Sequence, residues 1–265
     1  MNASPSTTGS IWSREIFSGG REYSTIPSLK VVDGEIDGRP WRAIAVVPDP
    51  TSRFVRARRG EIGLDQGLAL ATAVYETPRG AALLALVDVP GQAFGKREEA
   101  AGLQLALAAA VEAYTMERQA GRAIFALLVG KAISGAFLAH GMQAGWIGAL
   151  NSPEVEIQVM AAASVARVAR VSLDEIARVA STVPATARNV ESFASFGVVD
   201  EVFNVQIASQ PSASEIDRVR ASLSTAHLAG LGLRSPRDRL NDPRAAVHRS
   251  PALAARARIA AEWNA

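Results

Sequence analysis

The sequence predicts an α/β fold built on a parallel sheet, and three observations lead there. Short, wholly apolar runs at Ala81–Val87, Ala123–Val129 and Trp146–Leu150 are bounded by glycine or turn residues, as strands covered on both faces should be. Segments between them, Lys96–Arg118 and the Gly/Ala-rich Gly130–Gly145, carry helical composition. Strand and helix therefore alternate across residues 81–150, the pattern of parallel strands joined by right-handed crossovers.

Taken in order, residues 1–28 are rich in Ser, Thr and Gly with little period, and predict a partly disordered arm. Leu29–Gly38 and Arg42–Val47 alternate as strands, with Asp37-Gly38-Arg39-Pro40 supplying the turn of an antiparallel hairpin. Glu61–Glu76 places Leu64, Leu68, Ala71 and Tyr75 at helical spacing and stops at Thr77-Pro78. After the 81–87 strand, Lys96–Arg118 reads as one long helix with Glu98 and Glu99 near its positive N-terminal end. Glu154–Gln158 predicts a short strand and Val159–Val171 an alanine-rich helix. Ser172-Leu-Asp-Glu175 fits a capping box opening a helix to Ser181. Phe193–Val205 reads as irregular, Ser214–Ala229 and Pro251–Trp263 as helices, and the charged, proline-containing Ser235–Ser250 as a surface linker. The resulting division is an arm at 1–28, a main domain at 29–210 and a helical extension at 211–265.

Composition narrows the function. With 265 residues, 48% of them hydrophobic, the chain can bury a large core. A net charge of only +2 implies no nucleic-acid partner. Arg53, Arg56, Arg58 and Arg59 cluster on one stretch that reads as a solvated loop, an acidic carrier or a phosphate being the other reading. Cysteine is absent, which excludes disulfides, thiolate metal sites and cysteine nucleophiles. The start carries no secretory pattern, so a cytoplasmic location is expected. Ala123–Leu150 is long enough to cross a bilayer but holds Lys131, His140 and Gln143, so it reads as strand–helix–strand and no membrane partner is expected.

Two stretches carry candidate chemistry. Asp88-Val-Pro-Gly91-Gln92-Ala-Phe-Gly95 follows a buried strand, where α/β folds place ligand-binding loops, and two glycines four apart allow close backbone approach; a plain tight turn is the alternative. It is no phosphate-binding P-loop, since Gly95-Lys96 is followed by Arg97. In the second stretch, Ser134-Gly135-Ala136 puts small residues at a helix start whose N–H groups lack intrahelical acceptors, a setting able to hold an oxyanion, or equally a tightly packed helix. Ser134 lacks the glycines of a nucleophile elbow, and His140, six residues on, lies about 240° round the helix at ~100° per residue. His140, His227 and His248 lack metal-ligand spacing.

Val87-Asp88-Val-Pro-Gly91, Gly95, Glu99 and Gly102, followed by Gly130 and Ser134-Gly135-Ala136, together resemble the carboxyltransferase branch of the crotonase superfamily, with its D-T-P-G loop and glycine-rich G-G-S-G-G-A turn. The segments D-V-P-G-Q-A-F-G-K-R-E-E and G-K-A-I-S-G-A-F-L look closest to the gamma-subunit family of biotin-independent malonate decarboxylases. Val89 for threonine and Lys131-Ala132-Ile133 in the glycine-rich turn depart from the pattern. The resemblance implies a crotonase-like (ClpP/crotonase) spiral of ββα units with flanking helices. It implies a subunit active only with a homologous beta subunit, decarboxylating a malonyl thioester through an enolate held in an oxyanion hole. The thioester would ride on the coenzyme-A-like, phosphopantetheine-type group of an acyl-carrier subunit, loaded by a separate acyl transferase subunit, with no cofactor or metal bound to this chain. Carried over residue by residue, Ser134, Gly135 and Ala136 would serve catalysis, and Gly91, Gln92, Gly95 and Gly130 substrate binding. A half of a biotin-dependent acyl-CoA carboxyltransferase, or a scaffold half without chemistry, fits the same motifs.

Overall fold

A computed structural model describes residues 7–160, 162–181, 183 and 186–263. From Thr7 the expected arm is a helix, α1 (Thr8–Ile16), opened by a capping box in which Thr7 and Ser10 exchange side-chain and backbone bonds. Its Trp12 and Ile16 are fully buried in the core, and Trp12 Nε1 donates to the Ala208 carbonyl at 2.8 Å. The polar composition of this segment misled because two apolar side chains at i and i+4 suffice to dock one helical face. Residues 1–6 of the expected arm lie outside the described residues.

β1 (Arg21–Tyr23), β2 (Leu29–Ile36) and β3 (Arg39–Val46) form an antiparallel edge. The predicted hairpin turns in two residues, Asp37 and Gly38, both with positive φ (49° and 69°), the twist that tight hairpins prefer. Next come α2 (Leu64–Tyr75) and β4 (Ala82–Val89), parallel to β3. The predicted 96–118 helix is two: α3 (Lys96–Ala100) and α4 (Leu103–Gln119). Gly102, at φ 94°, adopts a left-handed conformation that a continuing helix cannot contain.

β5 (Ile124–Ile133) runs four residues beyond the predicted strand and passes straight into α5 (Ser134–His140). β6 (Trp146–Asn151) pairs with the first half of β5, while β7 (Glu156–Gln158) pairs with Lys131–Ile133 at its far end. The register of β4 on β5 shifts between Val87 and Val89, after which Val89 still pairs with Ala132, so the end of β5 lies between β4 and β7. α6 (Ala162–Ala169) and α7 (Leu173–Ala180) follow. Ser172 Oγ accepts from Glu175 N at 3.1 Å as predicted, but the Glu175 carboxylate pairs with Arg178 rather than completing a capping box. The stretch expected to be irregular holds α8 (Val190–Ser195) and β8 (Glu201–Asn204), which is parallel to β6 and follows it in the sheet order β1-β2-β3-β4-β5-β6-β8.

α9 (Ala213–Leu228) buries Ile216, Val219 and Leu223 in the same core. The expected linker at 235–250 is instead folded against the body as a 3-10 turn and α10 (Pro243–His248), followed by the exposed α11 (Ser250–Trp263). Asp200 is the anchor: its carboxylate accepts from Ile147 N at 2.8 Å, Arg234 Nη2 at 2.6 Å and Arg239 Nη2 at 3.3 Å. Arg239 is buried and also donates to the carbonyls of Ala144 and Val198. Among the described residues no helix is long and apolar enough to cross a membrane.

Removing Asp200 leaves the Arg239 charge buried with its partner gone. Asp200→Ala should therefore destabilise the fold by about 3 kcal/mol, read as a lower urea midpoint, with hydrogen-exchange protection lost first in 234–248. An unchanged midpoint would show that the Arg239 carbonyl contacts suffice.

Candidate functional site

The two predicted stretches meet at the C-terminal ends of β4 and β5. The 90–95 loop is pinned by a bridge to the segment before α2: Ile62 N donates to the Gly91 carbonyl at 3.0 Å and Ala93 N to the Ile62 carbonyl at 2.9 Å. Gly91 has φ 138°, which disfavours any side chain although a Cβ would meet nothing. At Gly95 the constraint is space: a Cβ would lie 2.6 Å from both Arg56 Nε and Glu98 Oε2. Gly95 therefore makes room for the Arg56 guanidinium.

Where β5 enters α5, Ser134 takes φ 55°, uncommon for a residue with a side chain, and its Oγ donates to the Val159 carbonyl. That bond ties the turn to the segment before α6. Gly135 N donates to Gln92 Oε1 at 3.0 Å, and the whole Gln92 amide lies 3.4–3.6 Å from where a Gly135 Cβ would be. Ala136 is fully buried behind them.

A cleft of about 500 Å³ opens over this junction, lined by Gly91, Gln92, Phe94, Ile133 and Ser134, with Arg56, Arg59, Arg167, Glu61 and Glu99 as its charged residues. Arg59 is paired with Glu61 at 2.8 Å, whereas Arg56 and Arg167 make no ion pair or hydrogen bond among the described residues. The arginine loop is thus only partly the solvated loop expected: Arg53 pairs with Asp65, Arg58 donates to the Ser52 carbonyl, and Arg56 and Arg59 face the cleft. Of the seven predicted residues, Gly91, Gln92 and Ser134 line it. Gly135 sits beneath the Gln92 amide, and Gly95 positions Arg56. Gly130 does not line it; a Cβ there would fall 2.2 Å from Asp88 Oδ1, so this glycine accommodates a carboxylate.

The sequence offers no signal for Arg167, which a distant helix supplies, and offers Arg56 only within an arginine-rich stretch whose favoured reading is a solvated loop, an acidic carrier or a phosphate being the other. Sequence reasoning also passed over Asp88. This side chain accepts from Lys131 N at 3.1 Å, and burial raises its pKa against the opposing pull of the Lys131 N–H and charge. Asp88 faces a neighbouring cleft of about 540 Å³ that shares Arg59, Glu61, Pro90 and Ile133 with the first. Among the described residues no group of three or more His, Asp or Glu side chains is disposed to hold a metal ion.

Residues 57–263 match the profile of MdcE, the malonate decarboxylase gamma subunit. The chain belongs to the malonate decarboxylase gamma-subunit family. It is similar, at 42% identity and a TM-score of 0.86, to a chain of a Pseudomonas malonate decarboxylase hetero-tetramer in complex with coenzyme A, the match covering 97% of this chain and 99% of that one. With a chain of a Pseudomonas malonate decarboxylase MdcD-MdcE hetero-dimer it shares 40% identity and a TM-score of 0.82, over 97% and 100% of the two chains. The malonyl-S-ACP:biotin-protein carboxyltransferase MADD of Malonomonas rubra is 34% identical over 194 residues, which span 68% of this chain and 66% of that relative's length. The fold of this gamma-subunit family member is the crotonase-like α/β one that the sequence motifs imply.

His140 is not part of the cleft. Fully buried, it donates Nε2–H to the Leu86 carbonyl at 3.3 Å and accepts the Tyr114 hydroxyl on Nδ1 at 3.0 Å, joining α5 to β4 and α4. Burial lowers its pKa to about 4, so the ring is neutral at pH 7. A folded pKa below the unfolded value of about 6.5 means full stability above pH 6.5, lost progressively as pH falls toward 4. The loss should reach roughly 3 kcal/mol once the ring must charge. His140→Gln should flatten that part of the stability–pH curve, and an equal slope in both proteins would assign the acid sensitivity elsewhere.

Proposed function

We propose that this chain is one half of a decarboxylating pair: with a homologous beta subunit it converts malonyl-S-acyl-carrier protein to acetyl-S-acyl-carrier protein and carbon dioxide. Family membership and the likeness to chains of malonate decarboxylase assemblies support the reaction class and the heteromer. The observation that carries the reading at residue level is the cleft where the Gly91–Gln92 loop meets the Ser134–Gly135 turn, with Arg56 and Arg167 on it making no ion pair among the described residues. The acyl carrier, its coenzyme-A-like arm, an acyl transferase subunit that loads it and a cytoplasmic setting complete the proposal.

The chemistry asks little beyond placed donors. The bond between the α-carbon and the carboxylate breaks, its electron pair moves into the thioester carbonyl, and the resulting enolate takes a proton at the α-carbon. Carbon dioxide leaves neutral. A donor already aimed at the thioester oxygen stabilises the charge as it develops and needs no reorganisation at that moment. The turn supplies the positive end of α5, with Ser134 Oγ fixing its shape through Val159. Gly135 and Ala136 N–H, the donors the sequence motifs imply, lie beneath the cleft, Gly135 N–H being held by Gln92 Oε1 and Ala136 being buried, so the turn acts on the substrate through the Gln92 amide. Arg56 and Arg167 give the approaching acid a favourable field. Loss of the carboxylate charge is favoured where the cleft is apolar, at Phe94, Ile133 and Met160.

Transfer of the carboxyl group to a biotin-carrying protein is the second reading, favoured by the likeness to MADD. The two differ in where the carboxyl carbon goes. Purified with its beta subunit and given malonyl-carrier substrate labelled in the carboxyl group, the pair should release labelled carbon dioxide without any biotin protein and unaffected by avidin. Label appearing only on an added biotin protein would move the assignment to transfer. The chain alone should show no turnover, since one copy of the motifs supplies half a site. In the intact pair, Gly135→Val presses a branched side chain on the Gln92 amide and should lower kcat by about 10²–10³; near-normal turnover would mean that the turn only packs.

A further inference from the structure

We propose that the donor reaching the substrate is the side-chain amide of Gln92: its Nε2 binds the negatively charged oxygen of the malonyl group, while the Gly135 N–H holds that amide in place. The inference rests on the reading of the cleft as the decarboxylation site, and it changes which atom does the binding there.

Three observations carry it. Gly135 N–H is already engaged, donating to Gln92 Oε1 at 3.0 Å, and the amide plane covers Gly135, which accordingly does not line the cleft while Gln92 does. The hydrogen bond also fixes the orientation of the amide. Were the ends exchanged, two donors would face each other, so oxygen points to the turn and Nε2 points away from it. That Nε2 makes no hydrogen bond among the described residues, leaving two N–H donors for an incoming acceptor. The residue is held from behind as well, because the carbonyl of Gly91 and the N–H of Ala93, on either side of it, both bond to Ile62. A side chain fixed at its backbone and at its tip has little freedom left to lose when a ligand binds.

The arrangement transmits charge. A donor on the amide oxygen polarises the group and makes its N–H a stronger donor, as in any hydrogen-bonded chain. Gln92 thus extends the positive end of the turn into the cleft by the length of its own amide. The charged groups on the same cleft are Arg56, Arg59 and Arg167 against Glu61 and Glu99; Glu61 is paired with Arg59, while Arg56 and Arg167 make no ion pair among the described residues, a balance that favours an anionic ligand.

Gln92→Glu is the discriminating variant. It has the same shape and keeps an oxygen for the Gly135 N–H, but it replaces the two N–H donors by a second acceptor and a negative charge. Gln92→Met, of similar length, removes both roles. The purified gamma–beta pair is titrated with malonate by calorimetry, and separately assayed on malonyl-carrier substrate, with thermal unfolding as a check on assembly. Malonate should bind at least about tenfold more weakly to Gln92→Glu and kcat/KM should fall about 10²-fold, with Gln92→Met losing less than Gln92→Glu in both. A loss in KM assigns the contact to the carboxylate, and a loss in kcat to the enolate oxygen. Wild-type behaviour of Gln92→Glu would make Gln92 a brace for the turn and overturn the proposal. Tighter malonate binding by Gln92→Met would make it a plug over Gly135, and no binding by the wild-type pair would remove the anion site, each overturning it equally. If the wild-type pair binds malonate but releases no carbon dioxide, the decarboxylase reading fails while the binding titrations still decide the role of Gln92.

Discussion

The structure depends on the burial of one strand. β5 is hydrogen-bonded along one edge to β4 and along the other first to β6 and then to β7, and of its ten residues only Lys131 is exposed. Ile124, Phe125, Leu127, Leu128 and Val129 are completely buried, each contributing roughly 1.5–3 kcal/mol by leaving water. A strand enclosed in this way must deliver its C-terminal end to a fixed place. It ends at a residue of positive φ and a helix start, so the turn at Ser134 inherits its position from the core rather than from its own few contacts.

The second half of the site is brought to that turn by the same parallel geometry. β4 lies beside β5, so the loop after Val89 opens on the same side, as loops at the carboxyl ends of parallel strands do. The break in register at Val87/Val89 lets Asp88 turn its carboxylate onto Gly130 and Lys131. Glycines in the motif consequently do different work. Gly91 accepts an unusual φ, Gly95 makes way for Arg56, and Gly130 makes way for Asp88. One glycine-rich signature therefore records three separate steric demands, of which two concern neighbouring charged side chains.

Closure of the fold is ionic where the apolar surface runs out. Asp200 collects the backbone of Ile147 and the guanidinium groups of Arg234 and Arg239, holding the C-terminal segment to the sheet end. At the opposite end of the chain α1 does the same through Trp12, whose indole reaches Ala208. Both contacts join residues far apart in sequence, and both lie in stretches whose composition reads as tail or linker.

The strand–helix alternation, the hairpin at Asp37-Gly38 and the two loop motifs were legible in the sequence because each is a local property: side-chain period, turn chemistry or residue size within a few positions. The family resemblance followed from those same motifs. Long-range packing decided the rest. α1 is ordered by a core it does not itself contain, β8 exists only as a partner for β6, and Gly102 divides a run whose helical period is unbroken. At the site, sequence placed Gln92 and Gly135 in the right motifs but not in contact. Their hydrogen bond spans 43 positions, and Arg56 and Arg167 reach the same cleft from elements on either side of them in the chain. No local pattern encodes such a meeting, since it is set by the register of β4 on β5 and the angle at which the chain leaves each strand.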